Sequence, residues 1–498
     1  MRPRILGLCL AALVAAGCRK VSAPPAATAP RVPKGDVLWF VDPSAAADPT
    51  LDGALQRIGA AAVLIPGGTL GSAAGPKAFT AAPSPPRPVG QAAVVLVLSA
   101  DDALAASLSG GPGPEAEGLA GAVTPAVSRE VSSGEFGRVA GIHLDFPFTA
   151  RSAARYAALV TKLRGGLPAG TFVSISIRSM PTSPDERKAV APLFAAADAL
   201  VAFVFGTGPR VDPIEVDAPG RPWWAAYDMR TVGQIEKSGE PGAAVPERLV
   251  EPLSGSPRFQ FENDLTINDA SVSAFTLTAR APVQQDGLSL APGDRIVFRL
   301  PSVSEMLFQL GSNLAGKKHV LGRAVLFGGK NEGERVFEVA ALEDVLLGRS
   351  LAPVLDVRVQ PAGRNAVTVD LSNRAHHATV PSRVDNWVEV DLSPAHPADV
   401  QIGGFDRYEV YDGGGHAVTP GRAASVRLFE TLIAPLETVN PARIVARGAL
   451  PKVCCRYRVH AVSAAGPEVA SDWIEPPPPP TPPPVPTKAA PAARRGRP

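Results

Sequence analysis

Cysteine is scarce in this chain: there are four among 498 residues. Cys9 and Cys18 fall in an N-terminal segment built like an export signal, which leaves only the neighbours Cys454 and Cys455. Adjacent cysteines cannot form an unstrained bridge, so no structural disulfide is expected even in an exported protein. An excess of one charge is missing as well. Lys and Arg total 49 against 47 for Asp and Glu, and Arg2 and Arg4 leave with the signal, so the mature chain balances at 47 to 47. That balance argues against a polyanion-binding surface, and no nucleic-acid partner is expected. After Cys18 no apolar run is long enough to span a bilayer, and no fixed period marks a solenoid.

The common catalytic and cofactor signatures are lacking too. The seven histidines make no metal-ligand spacing with cysteine or carboxylate, and His376 and His377 stand side by side on an expected loop, so no metal is implied. Asp412-Gly413-Gly414-Gly415 follows a strand pattern, but no helix opening on Lys and Ser or Thr comes after it. It reads as a hairpin turn rather than a phosphate loop. There is no Gly-x-Ser-x-Gly elbow and no His-Glu-x-x-His helix. No cofactor is expected.

What is present begins with an address. Met-Arg-Pro-Arg leads into an apolar run over 5–16 and then Gly17-Cys18, the parts of a secretory signal. Ala15-Ala16-Gly17-Cys18 resembles the bacterial lipobox, with alanine where leucine is usual, and this implies lipidation (palmitate included) at Cys18. Arg19, where aspartate would retain a lipoprotein at the inner membrane, favours the outer membrane. The expected order is a signal peptide at 1–17 and a flexible Ala/Pro-rich tether at 18–35, with a lipid anchor holding the soluble body to the membrane.

From Asp36 short apolar runs alternate with helical stretches: 36–42, 61–68, 92–100, 139–146, 171–177, 199–206 and 222–228. Bounded by Gly, Pro and Asp, they look like strands buried on both faces. Helical patterns over 150–164 and 185–197 lie between the later ones. Seven such alternations point to an α/β fold, a TIM-like (β/α) barrel. Its eighth strand is expected at 320–329, followed by a helix, after an inserted β region at about 256–316. The barrel is thus placed at 36–350. Short alternating strands over 353–475 predict an all-β sandwich, and YRVHAVSAAG resembles the penultimate strand of fibronectin type III or Ig-like modules. The tail 476–498 holds 11 prolines in 23 residues, too many for helix or central strand, and ends on basic residues.

GIHLDF (141–146), ARYAALVTKLRGGLPAGTFVSISI (154–177) and AADALVAFVFG (196–206) resemble a bacterial family catalogued as domain of unknown function 3142, related to barrel glycoside hydrolases. ALEDVLLGRSLAP (341–353) and DLSNRAHHATVPSRV (370–384) extend the likeness. Two departures stand out. The family's second aspartate, two positions after the first, is here Pro147, and its tryptophan after the fifth strand is absent from SIRSMPTSPDE (176–186). The resemblance therefore implies a glycoside-hydrolase-like barrel that has lost whatever hydrolysis a paired acid would support.

Barrel function sits at the C-terminal ends of the strands. Parity puts Ile142, Leu144 and Phe146 against the helices and turns His143 and Asp145 into the barrel. The same argument turns Ser174, Ser176 and Arg178 inward. His143, Asp145, Ser176 and Arg178 are the candidate ligand-binding residues, unless Asp145 and Arg178 only cap the barrel as an ion pair. For hydrolysis the candidate acids are Asp145 and Asp228, which could meet across the mouth, with Asp42, Asp101 and Asp102 near other strand ends. Trp39, Trp223 and Trp224 serve either as a sugar-stacking floor or as core. Parity also makes Cys455 core and Cys454 a partly exposed thiol among cations. Three functions follow: an envelope lipoprotein that binds a glycan or an envelope protein without catalysis, a glycoside hydrolase acting on a polysaccharide, or an assembly factor of the envelope working through its Pro-rich tail.

Overall fold

In the computed structural model the described residues run from 31 to 475, apart from 42–48, 72–77, 85–91, 110–115, 231, 238–239, 246–248, 250–252, 254–255, 264–271, 286, 302–304, 307–308, 310–313, 328–338, 348, 351, 381, 452–453 and 464–467. The signal, Cys18 and the Pro-rich tail lie outside them. The chain divides into two compact units. The first is Met1–Val232 with Asp269–Ser273 and Arg299–Glu334; the second is Gly233–Asn268 with Ala274–Phe298 and Arg335–Pro498.

The first unit is a closed barrel of eight parallel strands: β1 Val37–Phe40, β2 Ala62–Leu70, β3 Ala93–Ala100, β4 Val139–Asp145, β5 Phe172–Ile177, β6 Ala199–Phe205, β7 Trp223–Asp228 and β8 Val320–Phe327. Each pairs with the next, and β8 pairs with β1 to close the ring. All eight fall on the apolar runs expected from the sequence. The residues of β1, β5, β6 and β7 are buried throughout because one face meets the barrel interior and the other the surrounding helices.

The helices between the strands follow local signals. Helix α1 spans Pro49–Ile58, α2 Asp102–Leu108, α3 Ala116–Ser132, α4 Ala153–Gly166, α5 Pro184–Ala196 and α6 Pro213–Asp217. Ser183 and Glu186 form a capping box at the start of α5, with Pro184 in its first turn. Asp101 caps α2 by accepting from the Leu104 amide at 2.7 Å, which gives that candidate acid a structural task. Helix α4 buries Tyr156, Leu159, Val160 and Leu163, and the Tyr156 hydroxyl donates to Leu144 O at 3.2 Å.

Inside the barrel, Val37, Trp39, Leu64, Val95, Phe172, Val201, Phe203, Trp224 and Leu326 form one cluster. Gly141 leaves the space that the Phe172 ring takes: a Cβ there would meet that ring at 2.6 Å. Strand β2 shifts register between Pro66 and Gly68, and its last residues pair antiparallel with a short strand, Phe79–Ala81.

The second unit differs from expectation in extent. Strands Val232–Lys237 and Glu240–Val245 already belong to the inserted antiparallel sheet, which therefore begins before 256. The helix α7, Val339–Leu346, does not close the barrel. It belongs to the second unit, where Asp344 meets His377 Nε2 at 3.1 Å. The C-terminal strands form two antiparallel sheets. One orders Leu355–Pro361, Ala366–Asn373, Thr438–Arg447 and His396–Gln401; the other orders Arg407–Tyr411, Ser425–Phe429, Trp387–Asp391, Tyr457–Ala461 and Val469–Ala470. Val369 and Ile444 from the first and Val388, Val426 and Val459 from the second share one core.

Cys454 and Cys455 are both buried in that core, and their sulfurs are joined. Two expectations are corrected. The strand starts at Tyr457, beyond the pair, so the alternation that placed Cys454 outside does not reach it. The bridge does form, yet it links neighbours and encloses almost no chain.

Candidate functional site

The C-terminal ends of the strands carry a polar row. Register pairs Thr69 on β2 with Ser99 on β3, and Ser99 with Asp145 on β4. The Thr69 and Ser99 hydroxyls lie 3.1 Å apart. Arg178, just past β5, directs Nη2 at both Asp145 oxygens, at 3.1 and 3.2 Å, and its guanidinium lies 3.7 Å over the Phe203 ring. The stack fixes the guanidinium plane and the carboxylate fixes its rotation. Asp228 ends β7 at an inward position and is clasped by Arg230, through Nε at 2.9 Å and Nη2 at 2.8 Å. Gly206 makes room for it, since a Cβ there would come within 2.8 Å of the Asp228 Cβ.

Beneath the row sits His143, fully buried, with Nδ1 3.0 Å from Ser174 Oγ and Nε2 2.9 Å from Ser176 Oγ. Trp39 meets its ring edge-on at 4.8 Å. Burial lowers the His143 pKa to about 4; Asp145 opposes that shift and Arg178 adds to it. The imidazole is therefore neutral at pH 7, with one donor and one acceptor nitrogen. Burial by itself would raise the Asp145 pKa, but Arg178, His143 and a hydrogen bond from Ser176 outweigh it and hold the carboxyl below its usual range. An ionised carboxylate only accepts, so Ser176 donates to Asp145 and must accept from Nε2–H. Nδ1 is then left to accept from Ser174. One chain of hydrogen bonds thus runs Ser174, His143, Ser176, Asp145 and Arg178.

Above these groups opens a cavity of about 390 Å³ lined by Trp39, Val97, Leu326, Thr69, Ser99, Asp145 and Arg230, with Thr80 to Pro83 on one side. Asp145 borders it directly. Its side chain is 25% exposed and that of Arg178 36%, so the pair sits at a rim that is neither dry nor fully solvated.

All four candidate ligand residues therefore gather at one end of the barrel, with His143 and Ser176 beneath and Asp145 at the cavity. Sequence reasoning missed Thr69, Ser99 and Arg230. Ser99 was available by parity from Val95 and Val97. Thr69 was not, because the register shift at Pro66–Gly68 breaks the alternation. Of the tryptophans, Trp223 and Trp224 are core, with their indole N–H groups donating to Asp217 and to Gly35 O, and only Trp39 borders the cavity. Asp102 lies in the exposed first turn of α2, and Asp42 lies outside the described residues.

Fold and site together define a parallel eight-stranded α/β barrel with a charge-compensated polar mouth. No protein-family model and no curated relative matches the chain. It is similar to the solved structure of the spore cortex-lytic enzyme SleL of Bacillus megaterium, at 12% identity and TM-score 0.36 over 62% of this chain and 72% of that one. SleL of Bacillus cereus gives 14% and 0.35 over 60% and 73%. A GH18 chitinase from Pseudoalteromonas aurantia gives 11% and 0.27 over 43% and 86%. Likeness of this degree carries nothing about substrate or activity.

Proposed function

We propose that this chain is a lipid-anchored envelope protein whose barrel mouth binds a glycan without cleaving it. The observation that carries the reading is Asp145, ionised and oriented by Arg178 and Ser176, facing a cavity whose other walls include the Thr69 and Ser99 hydroxyls, apolar side chains and Arg230. Carboxylate acceptors beside hydroxyls and an apolar wall are what sugar hydroxyls and C–H faces need. Glycoside hydrolysis needs one carboxyl held protonated by its surroundings, and Asp145 is shifted the other way. A glycan array probed with the wild type and with Asp145→Asn tests the reading. Binding that drops about tenfold in the variant, at an unchanged melting temperature, supports it. Undiminished binding refutes the assignment to the mouth.

Asp228 at an inward position of the same mouth favours hydrolysis as the second reading. Reducing ends released from a polysaccharide by the wild type, and not by Asp228→Asn, would establish it. Membership of the domain of unknown function 3142 family and a fibronectin type III-like identity for the C-terminal sheets complete the proposal, with anchoring through Cys18 at the outer membrane. Cys18→Ser should move the protein from the membrane to the soluble fraction. Retention after a salt wash would refute the anchor.

A further inference from the structure

On the outside of the barrel, between helices α5 and α6, lies a second hollow of about 610 Å³. Its cause is a short crossover. At about 1.5 Å per residue, the five residues of α6 reach less than half as far as the thirteen of α5 beside it. The flank of α5 is therefore left open, with Val190 and Phe194 buried in its floor and Ala191 and Ala195 exposed. On the α6 side Ile214 stands at the rim and is 64% exposed. One ion pair ties the two helices across the hollow, Arg187 to Glu215 at 3.6 Å, and both members are about half exposed. Arg187 Nε also donates to Pro181 O at 3.2 Å, and Arg221 Nη2 to Ala195 O at 2.5 Å, so the cations at the edge are held in place.

An exposed apolar knob beside an apolar hollow, with one charge of each sign between them, is complementary to itself. A two-fold axis through the midpoint of the Arg187–Glu215 pair lays the α6 side of one copy on the α5 side of the other. Each Ile214 then enters the opposite hollow, over the small side chains at positions 191 and 195. The same rotation sets Arg187 against Glu215 of the partner subunit, and Glu215 against Arg187 of the partner subunit. One half-exposed pair becomes a ring of four alternating charges. A foreign ligand would account for the hollow but not for the isoleucine that protrudes next to it, whereas a second copy uses both.

We propose that the face formed by α5 and α6 is a two-fold interface with a second copy of this chain. It takes nothing from the barrel mouth, so it stands or falls apart from the glycan-binding reading. The test is sedimentation velocity on the full chain in a mild nonionic detergent, which covers any acyl chain that would itself cause association. The wild type should sediment as a dimer and Ile214→Arg as a monomer, with equal melting temperatures because that side chain is exposed. Arg187→Glu and Glu215→Arg should each weaken the dimer about tenfold or more, since each sets like charges face to face. An equimolar mixture of those two variants should recover it, because each then meets the opposite charges on the other. Damage to the fold of a single variant is not repaired by mixing. A wild type still monomeric at about 100 μM, a dimer indifferent to Ile214→Arg, or a mixture no tighter than either variant alone overturns the inference.

Discussion

Burying His143 as a neutral ring should make the barrel sensitive to mild acid. In the unfolded chain an imidazole titrates near 6.5; in the folded barrel it titrates at about 4 because no water reaches it. The sign follows from proton counting. Between these values the unfolded state binds a proton that the native state refuses, so stability is intact above pH 6.5 and falls as pH drops toward 4. At 1.36 kcal/mol per pH unit the whole window is worth about 3 kcal/mol, of which roughly 2 falls between pH 7 and pH 4.5. Asp145 does not confuse the measurement. Its folded pKa is depressed, so its contribution is present above the unfolded carboxyl value and is lost only below this window. His143→Gln keeps one donor and one acceptor for Ser176 and Ser174 but has no proton to gain. Urea unfolding at pH 7 and pH 4.5 should show the wild type losing about 2 kcal/mol more than the variant over that interval, whatever their difference at pH 7. Parallel losses would refute the burial argument.

Gly141→Ala should destabilise the barrel by about 1–3 kcal/mol, because its Cβ would lie 2.6 Å from the Phe172 ring in a filled interior; a melting temperature unchanged by calorimetry would show that the ring can retreat. Reducing agent should leave the melting temperature of the C-terminal sheets within error of its starting value, since the Cys454–Cys455 bridge closes no chain loop. A fall of several degrees would show that the bridge supports the surrounding core directly.

How much of this was legible depended on where each residue's constraint lies. The barrel strands were readable because burial on both faces leaves runs such as FVSISI and ALVAFVF with no polar alternation to confuse. Strands His396–Gln401 and Ser425–Phe429 carry a weaker signal, since HPADVQ has little apolar content and SVRLF is short and interrupted by a charge. Helix α7 was misplaced for a different reason. A helix after β8 is the natural local reading, and its assignment to the second unit is made by distant partners such as His377. Mouth residues show the same division. His143 and Asp145 follow from alternation within one strand, whereas Thr69 depends on a bulge and the clasp of Arg230 on Asp228 depends on a turn.

The interior itself points to the site more directly than any motif. Most barrel strands fill the centre with Val, Leu, Ala or aromatic side chains, but on β4 and β5 the inward positions above Gly141 and Phe172 are His143, Asp145, Ser174 and Ser176. Replacing apolar core by these groups costs several kcal/mol unless every donor and acceptor is met. They are met, on both imidazole nitrogens and through Ser176 to Asp145, and the chain ends at the cavity. A purely structural pair of Asp145 and Arg178 would need none of the buried members beneath it. What the network adds is a fixed orientation for the Asp145 carboxylate, the one carboxylate among the described residues that borders the cavity, and the proposed glycan binding would make use of that preorganisation.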